Sequence, residues 1–338
     1  MRCYQLVVPK LLASTALASL LSVAISSPAF ALVITPTFDS TITSDPNAAA
    51  VEGVINTAIG VYQATFSDPI TVTIDFAAMS TGLGRSVTGF NNETYTSFLT
   101  ALHTDATSSA DATALAHLPI QATNPVTGSG LINATTANLR ALGFNAPGFV
   151  NGTFDGQISL NTHITAPGSP GSTLAYFLLP VVEHEIDEVL GLHSDVGGTA
   201  FFTNPAAEDL FRYDSLGNRS FTTNPLALAF FSIDGLTDLA QFDNQNDSGD
   251  FGDWQSNQLP PGVQPKVQDA FATQGANPSL GVELTALDVI GYDRVAVPEP
   301  GSLALLSTGL LAFGFLRRKR ARRNRREYAV DAQLSRES

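Results

Sequence analysis

Apolar and polar residues alternate along residues 33–38, VITPTF, with the period of a half-buried strand. Asp45-Pro46-Asn47 then opens a helix, with Asp45 as N-cap and Pro46 in the first turn. Val51, Val54, Ile55, Ile59 and Tyr62 recur at helical spacing and form its apolar stripe. Residues 70–76, ITVTIDF, are β-branched and predict a second strand. Helical patches between residues 95 and 118 read as an insertion. Residues 154–164, FDGQISLNTHI, alternate again after an Asn151-Gly152 turn. Residues 180–191, PVVEHEIDEVLG, carry Pro near the start and Gly at the end of a helix, with Val182, Ile186, Val189 and Leu190 as its core stripe. Residues 226–233, LALAFFSI, read as a strand, residues 243–254 as a polar, Gly-broken loop, and residues 280–290 as a closing helix between Ser279 and Gly291. Strand, helix, strand, long connection, strand and acidic helix predict a mixed α/β (α+β) class with a loop-rich C-terminal part.

Both ends break this pattern. Arg2 and Lys10 precede an apolar run over residues 11–24, which closes on Ala29-Phe30-Ala31. A charged start, a short apolar core and small residues before the cut predict a secretory signal peptide over residues 1–31. At the other end Val297-Pro298-Glu299-Pro300-Gly301 leads into an uncharged run over residues 301–316, followed by a basic stretch over residues 317–326. At about 1.5 Å per residue the run spans roughly 24 Å, a little short of a ~30 Å hydrocarbon core. It crosses if its flanks snorkel or the bilayer thins, and the cations after it hold that end in the cytoplasm. A transmembrane helix is therefore expected over residues 301–316, with the body, residues 32–294, on the far side of the membrane. The tail resembles a PEP-CTERM sorting signal over residues 295–326, which leaves a polar tail over residues 327–338. That resemblance implies a Gram-negative bacterium, an exosortase-type sorting enzyme as partner, removal of the helix near the motif, and a final place in the envelope, at the cell surface or in extracellular matrix.

Charge narrows the function of the body. Of 17 Lys and Arg only Arg85, Arg140, Arg212, Arg219, Lys266 and Arg294 fall in it, against 27 of the 31 acids. A nucleic-acid partner needs clustered cations against phosphate, so that class is excluded. The single cysteine, Cys3, lies in the leader, which excludes disulfides, iron–sulfur centres and Cys-bound zinc from the body.

The acidic helix carries the candidate chemistry. His184 and Glu188 are four residues apart and lie on one face, one turn from each other, so their heads can converge on one ion. Glu185 is turned about 100° from His184 and can reach a water held by such an ion. Glu183, Glu185, Asp187 and Glu188 crowd four carboxylates into six residues, with no Lys or Arg from residue 141 to residue 211. Such charges repel and raise one another's pKa, and the helix dipole offsets only ~0.3–1 kcal/mol per charge, whereas a divalent cation offsets far more. His103, His117 and His163 read as surface or packing residues. Asp243, Asp247, Asp250 and Asp253 offer oxygens for a structural Ca2+, though without the spacing of an EF-hand loop.

The string HEIDEVLG resembles the zinc-binding helix of metzincin-type metalloproteases, H-E-x-x-H-x-x-G followed by a third ligand. More narrowly, the chain is similar to a group of PEP-CTERM-associated predicted metalloproteases with HEI-x-EVLG. The boxes DLFRY (residues 209–213), FSIDG (231–235) and GDFGDW (249–254) support that likeness. It implies a metzincin-like mixed twisted sheet with an active-site helix, the strand FDGQISLN as the edge that pairs with substrate, and a Zn2+-dependent endopeptidase acting on a peptide or protein substrate. In that reading His184, Glu188 and His193 bind the metal, Glu185 is the general base, and Tyr213 stabilises the oxyanion. The second ligand is Glu rather than His, and the body's one methionine, Met79, precedes the helix, so no Met-turn follows it. Ser194 stands where the pattern places its third ligand, flanked by His193 and Asp195. If Asp195 or Asp209 takes the role of His193, the site becomes more anionic and suits a harder ion. Two other readings stand beside the enzyme: a non-catalytic cell-surface or matrix protein on a protease-like scaffold, and a closed structural metal site.

Overall fold

The computed structural model describes residues 31–167, 175–198, 203–244, 249–256 and 263–295, with residues 313–314 and 317–320 of the tail. The expected signal peptide falls outside these but for Ala31, as does the expected membrane span but for residues 313 and 314. Among the described residues no helix is long and apolar enough to cross a membrane.

The protein has a mixed α/β architecture, as the element pattern predicts. Strand β1 (Val33–Phe38) is followed by a short helix α1 (Ser40–Thr43), a long helix α2 (Ala48–Thr65) and strand β2 (Thr71–Ala78). Strands β3 (Gly84–Thr88) and β4 (Phe90–Thr94) lead to helices α3 (Tyr95–Asp105) and α4 (Ser109–Ala116), strand β5 (Leu131–Thr135) and helix α5 (Thr136–Ala141). Strand β6 (Gly156–Leu160) and the short strands β7 (Thr165–Ala166) and β8 (Tyr176–Phe177) precede the acidic helix α6 (Leu178–Leu190). Short strands β9 (Arg212–Tyr213), β10 (Phe230–Phe231) and β11 (Ala240–Gln241) form a small antiparallel sheet, and α7 (Val282–Val289) closes the body.

The main sheet has the order β1-β2-β6-β3. β1, β2 and β6 run parallel, and β3 lies antiparallel on β6. Parallel neighbours need a crossover, which α2 supplies between β1 and β2. α2 and α6 pack against each other and against the sheet, burying Val51, Ile55, Ile59 and Tyr62 of the one and Val182, Ile186, Val189 and Leu190 of the other. One hydrophobic core runs from Leu32 to Tyr292. Arg140 of α5 grips Asp155 with two 2.7 Å hydrogen bonds, Nη1 to Oδ1 and Nη2 to Oδ2. Thr136 Oγ1 and the Thr73 amide also donate to Asp155, which ties α5 and β2 to the foot of β6.

Three sequence expectations need correction. The edge of the main sheet is β3, not the FDGQISLN strand: β6 is paired on both sides. Only Phe230–Phe231 of residues 226–233 is strand, because Asn224 starts a turn there, accepting from the Leu226 amide through its side chain and from the Ala227 amide through its carbonyl. Asp45 does not cap α2. The cap is Asn47, and the Asp45 carboxylate accepts from the Asn47 amide in a turn before it.

Candidate metal centre

Helix α6 ends where Gly191 takes φ +135°, a conformation other residues rarely adopt. Its core stripe packs inward, and the next face carries His184 and Glu188, both half-buried. Their side chains stay one turn apart, His184 Nε2 lying 3.7 Å from Glu188 Oε1. The third member of the group is Asp253, whose Oδ1 is 3.6 Å from His184 Nε2. One donor atom from each of His184, Glu188 and Asp253 lies within 4.8 Å of the others.

Asp253 comes from the loop after β11, and two local features deliver it. Gly252 packs on the backbone just beyond α6, where a Cβ would stand 2.7 Å from His193 Cα and 2.8 Å from the Ser194 amide nitrogen. Trp254, fully buried, pins the other side: its amide donates to the Gln268 carbonyl at 2.8 Å and its indole N–H to Glu283 Oε1 at 3.0 Å. From the sequence Asp253 is an oxygen donor for calcium in a polar loop, not a partner of His184. The Gly-Asp-Trp triplet was the signal, a close-approach residue and a large buried anchor either side of one carboxylate.

His184 Nδ1 lies 3.1 Å from the Val267 carbonyl. A carbonyl only accepts, so the proton of neutral His184 sits on Nδ1 and the Nε2 lone pair faces Glu188 and Asp253. Without an ion, the charges compensate one another. Burial lowers the His184 pKa, but Asp253, then Glu188 and Glu185, raise it further, to well above the imidazole range. Burial raises Asp253 to about 8, with Glu188 and Asp250 adding and His184 opposing. Burial also raises Glu185, and the Glu188 charge adds to it, whereas burial of Glu188 is outweighed by its hydrogen bond and attraction to His184. Glu185 and Glu188 are hydrogen-bonded carboxyls, and that bond raises Glu185 and lowers Glu188.

Glu185 lies under the edge strand. A Cβ at Gly84 of β3 would stand 2.8 Å from Glu185 Cδ and 2.9 Å from Val181 Cγ1, so only glycine lets strand and helix approach this closely. Ser86, two residues along β3, donates to Glu188. On the other side of α6, Tyr62 Oη lies 2.7 Å from the Glu183 carbonyl and 2.8 Å from Asp187 Oδ1, linking the acidic helix to α2.

The structure gathers His184 and Glu188 and sets Glu185 beside Glu188, but it does not bring His193 into the group. His193 Nδ1 lies 3.3 Å from the Gly191 carbonyl, its ring packs on Phe90 at 4.5 Å, and its Nε2 is 4.0 Å from Asp195 Oδ1. Burial lowers its pKa. Asp209 accepts from Ser194 Oγ at 2.5 Å and from the amides of Asp195 and Ala206, and this clasp folds the chain after Gly191 away from the ion site. Asp195 accepts from Asn133 at 2.9 Å. Tyr213 packs under Arg219, whose guanidinium is 4.7 Å from the ring centroid, and against Gly235. It belongs to the small sheet, and the oxyanion role expected of it gains no contact there with His184, Glu188 or Asp253. His103, His117 and His163 are exposed. Of the four acids considered for calcium, Asp253 is in the His184 group and Asp247 lies outside the described residues.

Zinc fits the donor set. Four donors at ~2.0–2.1 Å in a tetrahedron stand about 3.3–3.4 Å apart. The 3.6 and 3.7 Å separations from His184 Nε2 need to close by only a few tenths of an ångström to meet that.

Residues 296–320 match the family model of the PEP-CTERM protein-sorting motif. The chain thus carries the signature of a secreted protein that an exosortase-type enzyme recognises and that is sorted to a bacterial cell envelope. No curated protein and no solved structure matches the chain.

Proposed function

We propose that the body is an exported zinc-dependent endopeptidase of a Gram-negative bacterium, with a metzincin-like site acting on peptide or protein substrates. The observation that carries this reading is the convergence of His184, Glu188 and Asp253 beside the buried Glu185. Bound zinc would supply an acidified water and an electrophile for the scissile carbonyl. His184, Glu188 and Asp253 hold the ion, and the Val267 carbonyl fixes the His184 ring. Glu185 takes the proton of the attacking water and delivers it to the leaving amine. Burial raises its pKa, which strengthens it as a base. The edge of β3, unpaired among the described residues and with Arg85 and Val87 outward, offers backbone groups to an extended peptide next to Glu185.

The test is Glu185→Gln in the full-length chain. The variant should keep its zinc and cleave an unfolded protein substrate about 10²–10⁴-fold more slowly. Cleavage at the wild-type rate would remove Glu185 from the mechanism.

A further inference from the structure

Gln268 stands beside His184 and Asp253 at the edge of the group. Its side chain is fully buried. Its Nε2 is 3.3 Å from His184 Nε2 and 2.9 Å from Asp253 Oδ1, while its Oε1 is buried without a hydrogen-bond partner. The backbone at this position is pinned: the Gln268 amide donates to Glu283 Oε1 at 3.2 Å, and its carbonyl accepts from Trp254. The side chain therefore starts from a fixed backbone position beside the centre.

As placed, the amide gives one hydrogen to Asp253 and, where His184 is neutral, the other to its Nε2 lone pair. That arrangement satisfies the two metal ligands when no ion is present and leaves the amide oxygen orphaned, a loss of about 1–3 kcal/mol. A cation between His184, Glu188 and Asp253 reverses the preference. An amide nitrogen has no lone pair to donate and would direct its hydrogens at the charge, whereas the oxygen is a good ligand. If the amide turned over, its oxygen would take the place of the nitrogen that now lies 3.3 Å from His184 Nε2, about a tetrahedral edge.

We propose that Gln268 turns its amide over when metal binds and becomes the fourth protein ligand, so that the ion is closed to water until this side chain is displaced. This rests on the metal reading above. It makes the site latent: a tetrahedral ion with four protein donors is a structural one, and catalysis needs one position open.

The test uses the purified full-length chain loaded with cobalt, whose visible absorption reports its ligands, with azide as a small competing ligand. Zinc affinity is measured in parallel against a chromophoric chelator. In wild type the cobalt spectrum should ignore azide. In Gln268→Ala it should respond to azide, with zinc affinity weaker by about tenfold or more. Gln268→Glu, which keeps shape and oxygen donor, should restore a closed site and serves if the Ala variant folds poorly. Equal azide response in wild type and Gln268→Ala, or an open site in Gln268→Glu, would overturn the proposal while leaving the metal centre intact. A folded wild type that takes up neither zinc nor cobalt would overturn both, and the metal content shows this before any azide is added.

Discussion

Asp187, inside the acidic helix, is fully buried and shares the Tyr62 hydroxyl with the Glu183 carbonyl. Tyr62 has one proton for two acceptors within 2.8 Å. The arrangement closes if Asp187 is itself protonated and donates to the Tyr62 oxygen, leaving the hydroxyl proton for the Glu183 carbonyl. Burial, and then the Glu283 charge, push the Asp187 pKa well above its ordinary 3.8. Above pH 3.8 the unfolded chain has released this proton and the native chain keeps it, so stability falls by about 1.4 kcal/mol per pH unit until the native group ionises. Asn at this position donates to Tyr62 without titrating. The stability of Asp187→Asn relative to wild type should therefore improve as pH rises above the unfolded value, by about 1.4 kcal/mol per pH unit while native Asp187 keeps its proton. Glu183, raised to about 7 by burial and then by Glu283, and Asp253, raised to about 8, titrate in both proteins, so their own contributions are common to the two. The assay is urea unfolding of the chelator-treated chain across that range. Tyr62→Phe, which leaves the buried Asp187 carboxyl without its Tyr62 partner, should cost about 1–3 kcal/mol. A pH-independent difference between Asp187→Asn and wild type would refute a protonated Asp187.

Two further substitutions probe the frame around the site. Gly84→Ala forces a methyl into the Glu185 carboxyl and Val181, so it should destabilise by about 1–3 kcal/mol and slow cleavage more than it weakens zinc binding, as denaturation, turnover and metal content together would show. Arg140→Met leaves Asp155 buried without its bidentate partner and should cost about 3–5 kcal/mol in urea unfolding; a loss below about 1 kcal/mol would mean that the threonine and amide donors suffice.

What the sequence made legible, and what it hid, follows from where each signal resides. β1, the stripe of α2 and the whole of α6 with its terminal Gly191 are local periodicities, and they fold as read. The pairing of His184 with Glu188 is equally local, since helical spacing alone sets it. β3 escaped notice because Gly-Arg-Ser-Val-Thr is short, half-exposed and opens on a glycine, and its place at the edge is decided by pairing with β6. Asp253 arrives from 65 residues beyond Glu188 and is positioned by Gly252 and Trp254, contacts that no periodicity encodes. His193 lies close to the helix in sequence, yet the clasp of Ser194 and Asp195 on Asp209 sets its direction, and the ring goes to Phe90. Tyr213 sits in a motif that looks like site chemistry but serves the small sheet through Arg219.

The most direct measurement is the zinc content of the purified full-length chain beside His184→Ala, Asp253→Ala and His193→Ala. The account predicts about one zinc per chain in wild type and in His193→Ala, and none in His184→Ala or Asp253→Ala. A folded wild type without zinc, or an Asp253→Ala chain that keeps its zinc while His193→Ala loses it, would contradict the centre described.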